Sequence, residues 1–147
     1  MFKHILVPTD GSTLSLRAVK NAVRLAKVHG ARITAFYAAP EYHPNIAGDY
    51  LPANFVPLGV YQKEVKKTAD KYLAQVKKLA DIGGVACTSL FASNDSPHKA
   101  IIKAAKDKKC DLIFMASHGR SGIAGLLIGS ETNKVLTHCK LPVLVYR

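Results

Sequence analysis

The chain has 147 residues, of which 48% are hydrophobic, and its 21 basic and 10 acidic side chains give a formal net charge of +11. This length suits one domain with a sizeable core, and no segment approaches the roughly 18 uninterrupted apolar residues that a membrane-spanning helix requires. Met1 to His4 lead directly into a predicted strand, so we expect a cytoplasmic protein with no cleaved signal and no membrane partner. The three cysteines, Cys87, Cys110 and Cys139, are widely spaced and show no C-x-x-C pair, which argues against a zinc or redox centre.

The excess of positive charge raises the question of an anionic partner, such as nucleic acid. Many of the lysines lie in two segments that predict amphipathic helices, where they would form the solvated faces. The aromatic and basic platform expected of a single-strand binder is absent, so a nucleic-acid partner is not favoured. The lysines of the two segments are Lys63, Lys66, Lys67, Lys71, Lys77, Lys78, Lys99, Lys103, Lys106, Lys108 and Lys109.

The first elements in chain order are a strand, a helix and a second strand. His4–Pro8 is a short apolar run that leads into a turn, Thr9 to Ser12, and predicts a strand. Ser15 to His29 carries apolar residues at helical spacing and is stopped by Gly30, which predicts a helix. Ile33–Ala39 predicts the second strand.

An irregular loop, a long helix and a third strand follow. The loop from Pro40 to Pro57 contains four prolines and one glycine, and both a functional role and a plain excursion are open for it. Leu58 to Ile82 carries an apolar stripe at helical spacing that ends at Gly83-Gly84. Val85–Phe91 then predicts a strand.

Two further pairs of elements complete the chain. A helix from Ser96 to Lys108, with a capping residue and a proline at its start, precedes a fourth strand, Asp111–Ala116. After a glycine-rich loop come a helix, Ser130–His138, and a closing strand, Pro142–Tyr146. Strands separated by helices imply right-handed β-α-β units, and therefore a doubly wound α/β fold with a parallel sheet.

Four glycines lie in the segment from Ala116 to Ser130, between the fourth strand and the last helix. Glycines let backbone amides approach an oxyanion closely, and the start of a helix adds its positive dipole end. A plain β-to-α turn is the alternative. If strands one and four are neighbours, this loop and the turn Thr9 to Ser12 border one crevice at the carboxyl ends of the strands.

The fingerprints of several common sites are missing. The chain has no G-x-x-x-x-G-K-[ST], and its first turn lacks G-x-G-x-x-G, so neither a P-loop enzyme nor a standard dinucleotide binder is indicated. G-x-S-x-G and H-E-x-x-H are also absent, which leaves little support for a hydrolase or a metalloprotease. No residue stands out as a catalyst, although Asp10, His118 and Arg120 leave slow phosphate hydrolysis open.

Three segments of the chain resemble the universal stress protein family. Ile5–Ser12 is similar to the family's first strand and turn, Met115–Gly122 to its fourth-strand loop, and Pro142–Val145 to its last strand. The resemblance covers essentially the whole chain. It implies one domain over residues 1–147, with a Rossmann-like, adenine nucleotide alpha hydrolase-like sheet of order 3-2-1-4-5 and four helices.

The ATP-binding branch of this family carries a longer motif: G-x-x-G, nine residues, then glycine followed by serine or threonine. Gly119 and the pair Gly129-Ser130 match this spacing. Ala116 replaces the first glycine. By the resemblance this adds a methyl group where the ribose approaches, so we expect a modest loss of affinity.

The resemblance implies an adenine-nucleotide site. Asp10 would lie beside the sugar, and Ala38 and Met115 would form apolar walls. The backbone amides of Gly119, Gly129 and the first turn of the last helix, together with the hydroxyl of Ser130, would meet the phosphates. Local sequence leaves other roles open, namely an Asx turn for Asp10 and core positions for Ala38 and Met115. His118 and Arg120 could bind phosphate, or only brace the loop and face solvent. The implied residues are Pro8, Thr9, Asp10, Ala38, Met115, Ala116, His118, Gly119, Arg120, Gly129, Ser130, Glu131 and Thr132.

The resemblance also implies a function. ATP, with Mg²⁺ or Mn²⁺ held through its phosphates, would control a stress-response regulatory module with at most slow hydrolysis. A homodimer would form through the strand Pro142–Tyr146, and an unidentified regulatory protein is a further possible partner. The alternatives are a stress protein that binds no nucleotide and acts by dimerisation and protein contacts and, less favoured, a basic nucleic-acid binder.

Overall fold

The computed structural model describes residues 1–46, 51–120 and 128–147, within which five strands alternate with four helices. The elements are β1 (His4–Pro8), α1 (Thr13–His29), β2 (Arg32–Ala39), α2 (Leu58–Gly83), β3 (Cys87–Ser93), α3 (Pro97–Asp107), β4 (Leu112–Ala116), α4 (Ser130–His138) and β5 (Val143–Tyr146). Residues 47–50 of the predicted irregular loop and 121–127 of the glycine-rich loop lie outside the described residues.

The strands form one parallel sheet in the order β3-β2-β1-β4-β5. β1 lies in the middle, where Ile5 is opposite Ile33 of β2 on one side and Leu112 of β4 on the other. The predicted α/β fold and strand order are therefore confirmed. Because the strand order reverses between β1 and β4, the loops that follow these two strands meet at the carboxyl edge of the sheet.

Apolar side chains cover both faces of the sheet. Ile5 and Val7 of β1 pack in a cluster with residues of α1 and α2, whereas Leu6 packs with residues of α3 and α4 on the opposite face. All three are fully buried. This alternation along β1 is the period-two pattern of a strand that is covered on both faces.

The third strand begins later than the sequence predicts. Gly84 ends α2 in a left-handed conformation, with φ at 69°. The amide of Val85 then donates to the carbonyl of Ala80 at 2.9 Å, so Val85 completes the helix cap instead of starting the strand. β3 consequently runs from Cys87 to Ser93, so both of its ends lie two residues later in the chain than predicted.

The lysines of the two predicted helical segments are all exposed, which agrees with solvated helix faces. Within the described residues, no helix is long and apolar enough to cross a bilayer. The three cysteines are free thiols. Burial, with a smaller effect of Asp111, raises the pKa of Cys110 to about 11, so its thiol stays protonated at neutral pH.

Candidate functional site

A cleft of about 670 Å³ opens at the carboxyl edge of the sheet, bordered by the ends of β1, β2 and β4. This volume lies within the range of small-molecule sites, roughly 300–1,000 Å³. The structure brings all thirteen residues implied by the sequence motifs to the lining of this cleft. The lining residues that sequence reasoning missed are Ser15, Tyr37, Thr68, Tyr72, Pro97 and Ile101.

One wall of the cleft is apolar. It is formed by Pro8, Ala38 and Met115 near the ends of three strands, and by Pro97 and Ile101 from the start of α3. Met115 is 6% exposed and also belongs to the core cluster on the α3 side, whereas Ala38 is half-buried. A wall of this kind suits a flat aromatic group better than a charged one.

Asp10 connects the loops that follow β1 and β4. Its Oδ1 accepts a hydrogen bond from the amide of Ser12 at 3.0 Å, which is the Asx turn left open by the sequence. Its Oδ2 accepts from the amide of Arg120 at 2.7 Å. The carboxylate therefore holds the two sides of the cleft together, and the remaining lone pairs of its oxygens can accept from a ligand hydroxyl.

Gly119 and Gly129 are required by close packing around the cleft. A Cβ at Gly119 would lie 2.5 Å from Oδ2 of Asp10, and one at Gly129 would lie 3.0 Å from the Cβ of His118. The amide of Gly129 already donates to the carbonyl of Ser117 at 2.7 Å. The interpretation of Gly129 as an amide donor to phosphate is therefore wrong in this structure, and His118 contributes to packing of the loop.

The start of α4 contributes backbone amides to the cleft. Gly129 is the N-cap and has no side chain to accept a hydrogen bond, and the first bond within the helix runs from Asn133 to the carbonyl of Gly129 at 2.9 Å. The amides of Ser130, Glu131 and Thr132 thus have no acceptor among the described residues. Three such amides at the positive end of a helix dipole are the kind of donors that can bind an anion.

The side chain of Thr132 fixes this helix start against the sheet. Its Oγ1 donates to the carbonyl of Ala116, the last residue of β4, at 3.0 Å. Thr132 is almost fully buried, whereas Ser130 is exposed. The hydroxyl of Ser130 therefore remains available to a ligand, and that of Thr132 does not.

Two tyrosines and Arg120 form a cluster at the side of the cleft nearest α2. The guanidinium carbon of Arg120 lies 4.8 Å from the ring centroid of Tyr72, a cation–π distance. The ring of Tyr37 meets Tyr72 edge to face, with centroids 5.4 Å apart. Burial, and then the neighbouring Tyr72, raises the pKa of Tyr37, so its phenol stays protonated at neutral pH.

Gly11 shows why Tyr72 can lie so close to the first turn. Its φ of +74° is in the left-handed region, and a Cβ there would lie 2.4 Å from the Cδ1 of Tyr72. Tyr72 lies on the buried stripe of α2, and helical spacing of this kind is typical of a core residue. Tyr37 directly precedes Ala38, a site residue that the family resemblance implied. Its place next to Ala38 in the sequence was the signal that could have identified it.

The carboxylate of Glu131 is used within the protein. Its Oε2 accepts from the backbone amide and from Nδ1 of His98, each at 3.0 Å, and its Oε1 accepts from Nζ of Lys134 at 2.7 Å. Burial raises the pKa of Glu131, but the donors from Lys134 and His98 outweigh this effect and leave the pKa below its ordinary value. Glu131 is therefore ionised at neutral pH.

Among the described residues, no group of three or more His, Cys, Asp and Glu side chains lies close enough together to hold a metal ion. The charged and polar groups of the cleft are instead arranged around the start of α4 and the Asp10 turn. This arrangement fits an organic anion with an apolar portion.

The family model for the universal stress protein family matches residues 1–147. A universal stress protein of Methanocaldococcus jannaschii is 33% identical over 100% of this chain and 83% of its own length. Universal stress protein YxiE of Bacillus subtilis is 33% identical over the full length of both chains.

Solved structures of universal stress proteins share this fold. A solved universal stress protein in complex with cAMP superposes with a TM-score of 0.72 and 26% identity, over 99% of this chain and 97% of its own. The motif resemblance, the strand order and the full-length matches agree. The chain belongs to the universal stress protein family.

Proposed function

We propose that the cleft binds an adenine nucleotide, with ATP as the preferred ligand, and that its occupancy controls contacts with a regulatory partner. The observation that carries this proposal is the row of amides at residues 130–132, which have no acceptor among the described residues and belong to the same cleft as the apolar side chains. The family relative solved with cAMP supports an adenine nucleotide as the class of ligand.

The lining residues suggest a role for each part of the nucleotide. The base would lie against the wall that includes Ala38 and Met115, and the ribose near Asp10 at the turn after β1. The phosphates would accept from the amides of residues 130–132. Mg²⁺ or Mn²⁺ would bind through these phosphates and water, as Mg²⁺ commonly does. Arg120 would reach the phosphates only by leaving the ring of Tyr72.

Two features limit what the bound nucleotide can do. The methyl group of Ala116 occupies a position that is glycine in the ATP-binding branch, so we expect somewhat weaker binding than a glycine would allow. The carboxylate of Asp10 already accepts from two backbone amides, so each of its oxygens is engaged in holding the two loops and fewer lone pairs remain to orient an attacking water. Binding with slow hydrolysis at most is therefore the activity that we propose.

Replacing Ser130 with proline tests the amide contacts without disturbing the fold. Proline is tolerated at the first position of a helix, and Gly129 before it has the extended conformation that proline requires, with φ −68° and ψ 158°. Ser130→Pro deletes one amide and the hydroxyl, whereas Ser130→Ala deletes the hydroxyl alone. A hydrogen bond to a charged group contributes about 1.5–3 kcal/mol, so we expect Ser130→Pro to bind ATP at least about tenfold more weakly than Ser130→Ala.

The affinities are measured by isothermal titration of the parent and both variants with ATP, AMP, cAMP and GTP. Equal ATP affinities for the two variants would contradict the proposed contact. The absence of heat from the parent with every adenine nucleotide would favour a module that acts through protein contacts alone. Variants of Gly119 or Gly129 are less informative, because an added side chain would collide with Asp10 or His118 even without ligand.

A further inference from the structure

A side chain of α4 caps the start of α3. Ser96 is the N-cap residue of α3 but makes no capping hydrogen bond through its side chain, contrary to the sequence prediction. Oε2 of Glu131 accepts from the backbone amide of His98 instead. The same oxygen accepts from Nδ1 of the His98 ring, so one carboxylate connects the phosphate side of the cleft to the helix that forms its apolar wall.

The protonation of His98 follows from this contact. Because Glu131 is ionised at neutral pH, its oxygens can only accept hydrogen bonds. Nδ1 of His98 must therefore carry a hydrogen, and Nε2 is the basic atom of the neutral ring. The His98 side chain is 11% exposed and that of Glu131 35%, so water screens this pair only in part.

Several other charged or titratable groups face this pair. From α4, Lys134 donates to the other oxygen of Glu131, and the ring centroid of His138 lies 5.7 Å from that of His98. Lys99 follows His98 on α3, and Asp95 precedes the helix, where it accepts from the amide of Glu41 and contacts His43. Asp95 and Lys99 are both exposed, so they are screened by solvent.

A phosphate at the start of α4 would occupy the same cleft as the negatively charged side chain of Glu131, which is among the lining residues. The two negative charges repel each other in a partly buried site. Lys134 already offsets part of this repulsion, and a proton on His98 would give the cluster of Glu131, Lys134 and His98 a net positive charge that attracts the phosphate. The positive ring would keep its hydrogen bond to Glu131.

We propose that His98 takes up a proton from solvent at Nε2 when a nucleotide binds, so that nucleotide affinity rises as the pH falls from 8 to 6. This inference rests on the proposed function of the cleft. It makes His98 a positioning residue, which acts on the phosphate through Glu131 and does not touch it. Uptake of a fraction of one proton on binding corresponds to about a three- to tenfold gain in the affinity for the nucleotide between pH 8 and pH 6.

Calorimetric titration with ATP at pH 7 in PIPES, HEPES and Tris measures the proton uptake. These buffers differ in ionisation enthalpy, so the slope of the observed heat against that enthalpy gives the number of protons bound. We expect the parent to take up more protons than His98→Asn, whose amide can still donate to Glu131. The protonation of ATP itself is common to both proteins and cancels in the difference.

Three further variants separate the possible sources of the proton. His138→Asn should keep the uptake of the parent, whereas Glu131→Gln should lose the part due to His98 because it removes the negative charge. If uptake disappears in His118→Asn, whose parent side chain lines the cleft, and persists in His98→Asn, the assignment to His98 is wrong. Failure of the parent to bind ATP would overturn the proposed function as well, whereas binding with equal uptake by parent and His98→Asn would overturn the His98 inference alone.

Discussion

His4 is a buried histidine at the start of the central strand. Its Nε2 lies 2.7 Å from Oγ1 of Thr34 on the adjacent strand, and the residue is 7% exposed. Burial, and then the positive charge of Arg32, lowers the pKa of His4 below its ordinary value of 6.5. The folded protein therefore holds this ring in its neutral form at neutral pH.

This lowered pKa predicts a loss of stability in mild acid. As the pH falls below about 6.5, the unfolded chain binds a proton at His4 before the folded protein does, so the free energy of unfolding decreases by up to about 1.4 kcal/mol per pH unit. Above that pH the neutral His4 ring makes its full contribution to the free energy of unfolding. Urea unfolding at pH 7.5 and pH 5.5 should show a smaller loss for His4→Gln than for the parent. His138→Gln, at an exposed site on α4, is the control, and a parent-like loss in His4→Gln would refute the role of His4.

At the scale of secondary-structure elements, local sequence signals identified every strand and helix, because each carries its own apolar period and stop signal. The shifted start of β3 and the cap of α3 were not predicted. The first depends on a backbone bond from Val85 that completes the cap of α2. The second depends on Glu131, which is 33 residues from His98 along the chain and becomes its neighbour only after folding.

The edge strand β5 leads to a prediction of its own. The carbonyl of Pro142 accepts from Ile113 of β4, and that of Tyr146 accepts from Ser117, the residue after β4. By alternation, the amides of Val143 and Val145 point to the open edge. We propose that this edge pairs with its copy to form a homodimer. The parent and Val145→Ala should then sediment as dimers, whereas Val145→Pro, which lacks the outward amide, should shift toward monomer. A monomeric parent at tens of micromolar would contradict the proposal.

At the scale of the whole molecule, the strand order creates the site. Because β1 and β4 are neighbours, Asp10 can accept from the amide of Arg120, which is 110 residues away along the chain. The family motifs implied the residues that line the cleft, since the motif segments follow these two strands. They did not reveal Tyr72 or Ile101, whose helical spacing also fits a plain core. They also did not show that Gly129 uses its amide within the protein, because hydrogen-bond partners depend on the folded geometry.

The contact of phosphate with the start of α4 can be observed directly by ¹H–¹⁵N NMR during a titration with ATP. The account predicts that the amide signals of Ser130, Glu131 and Thr132 move together and saturate with one affinity. The amide of Gly129, which donates to Ser117, should move less. Signals at residues 130–132 that stay in place while ATP shifts only the lysine-rich surfaces of α2 and α3 would contradict the account.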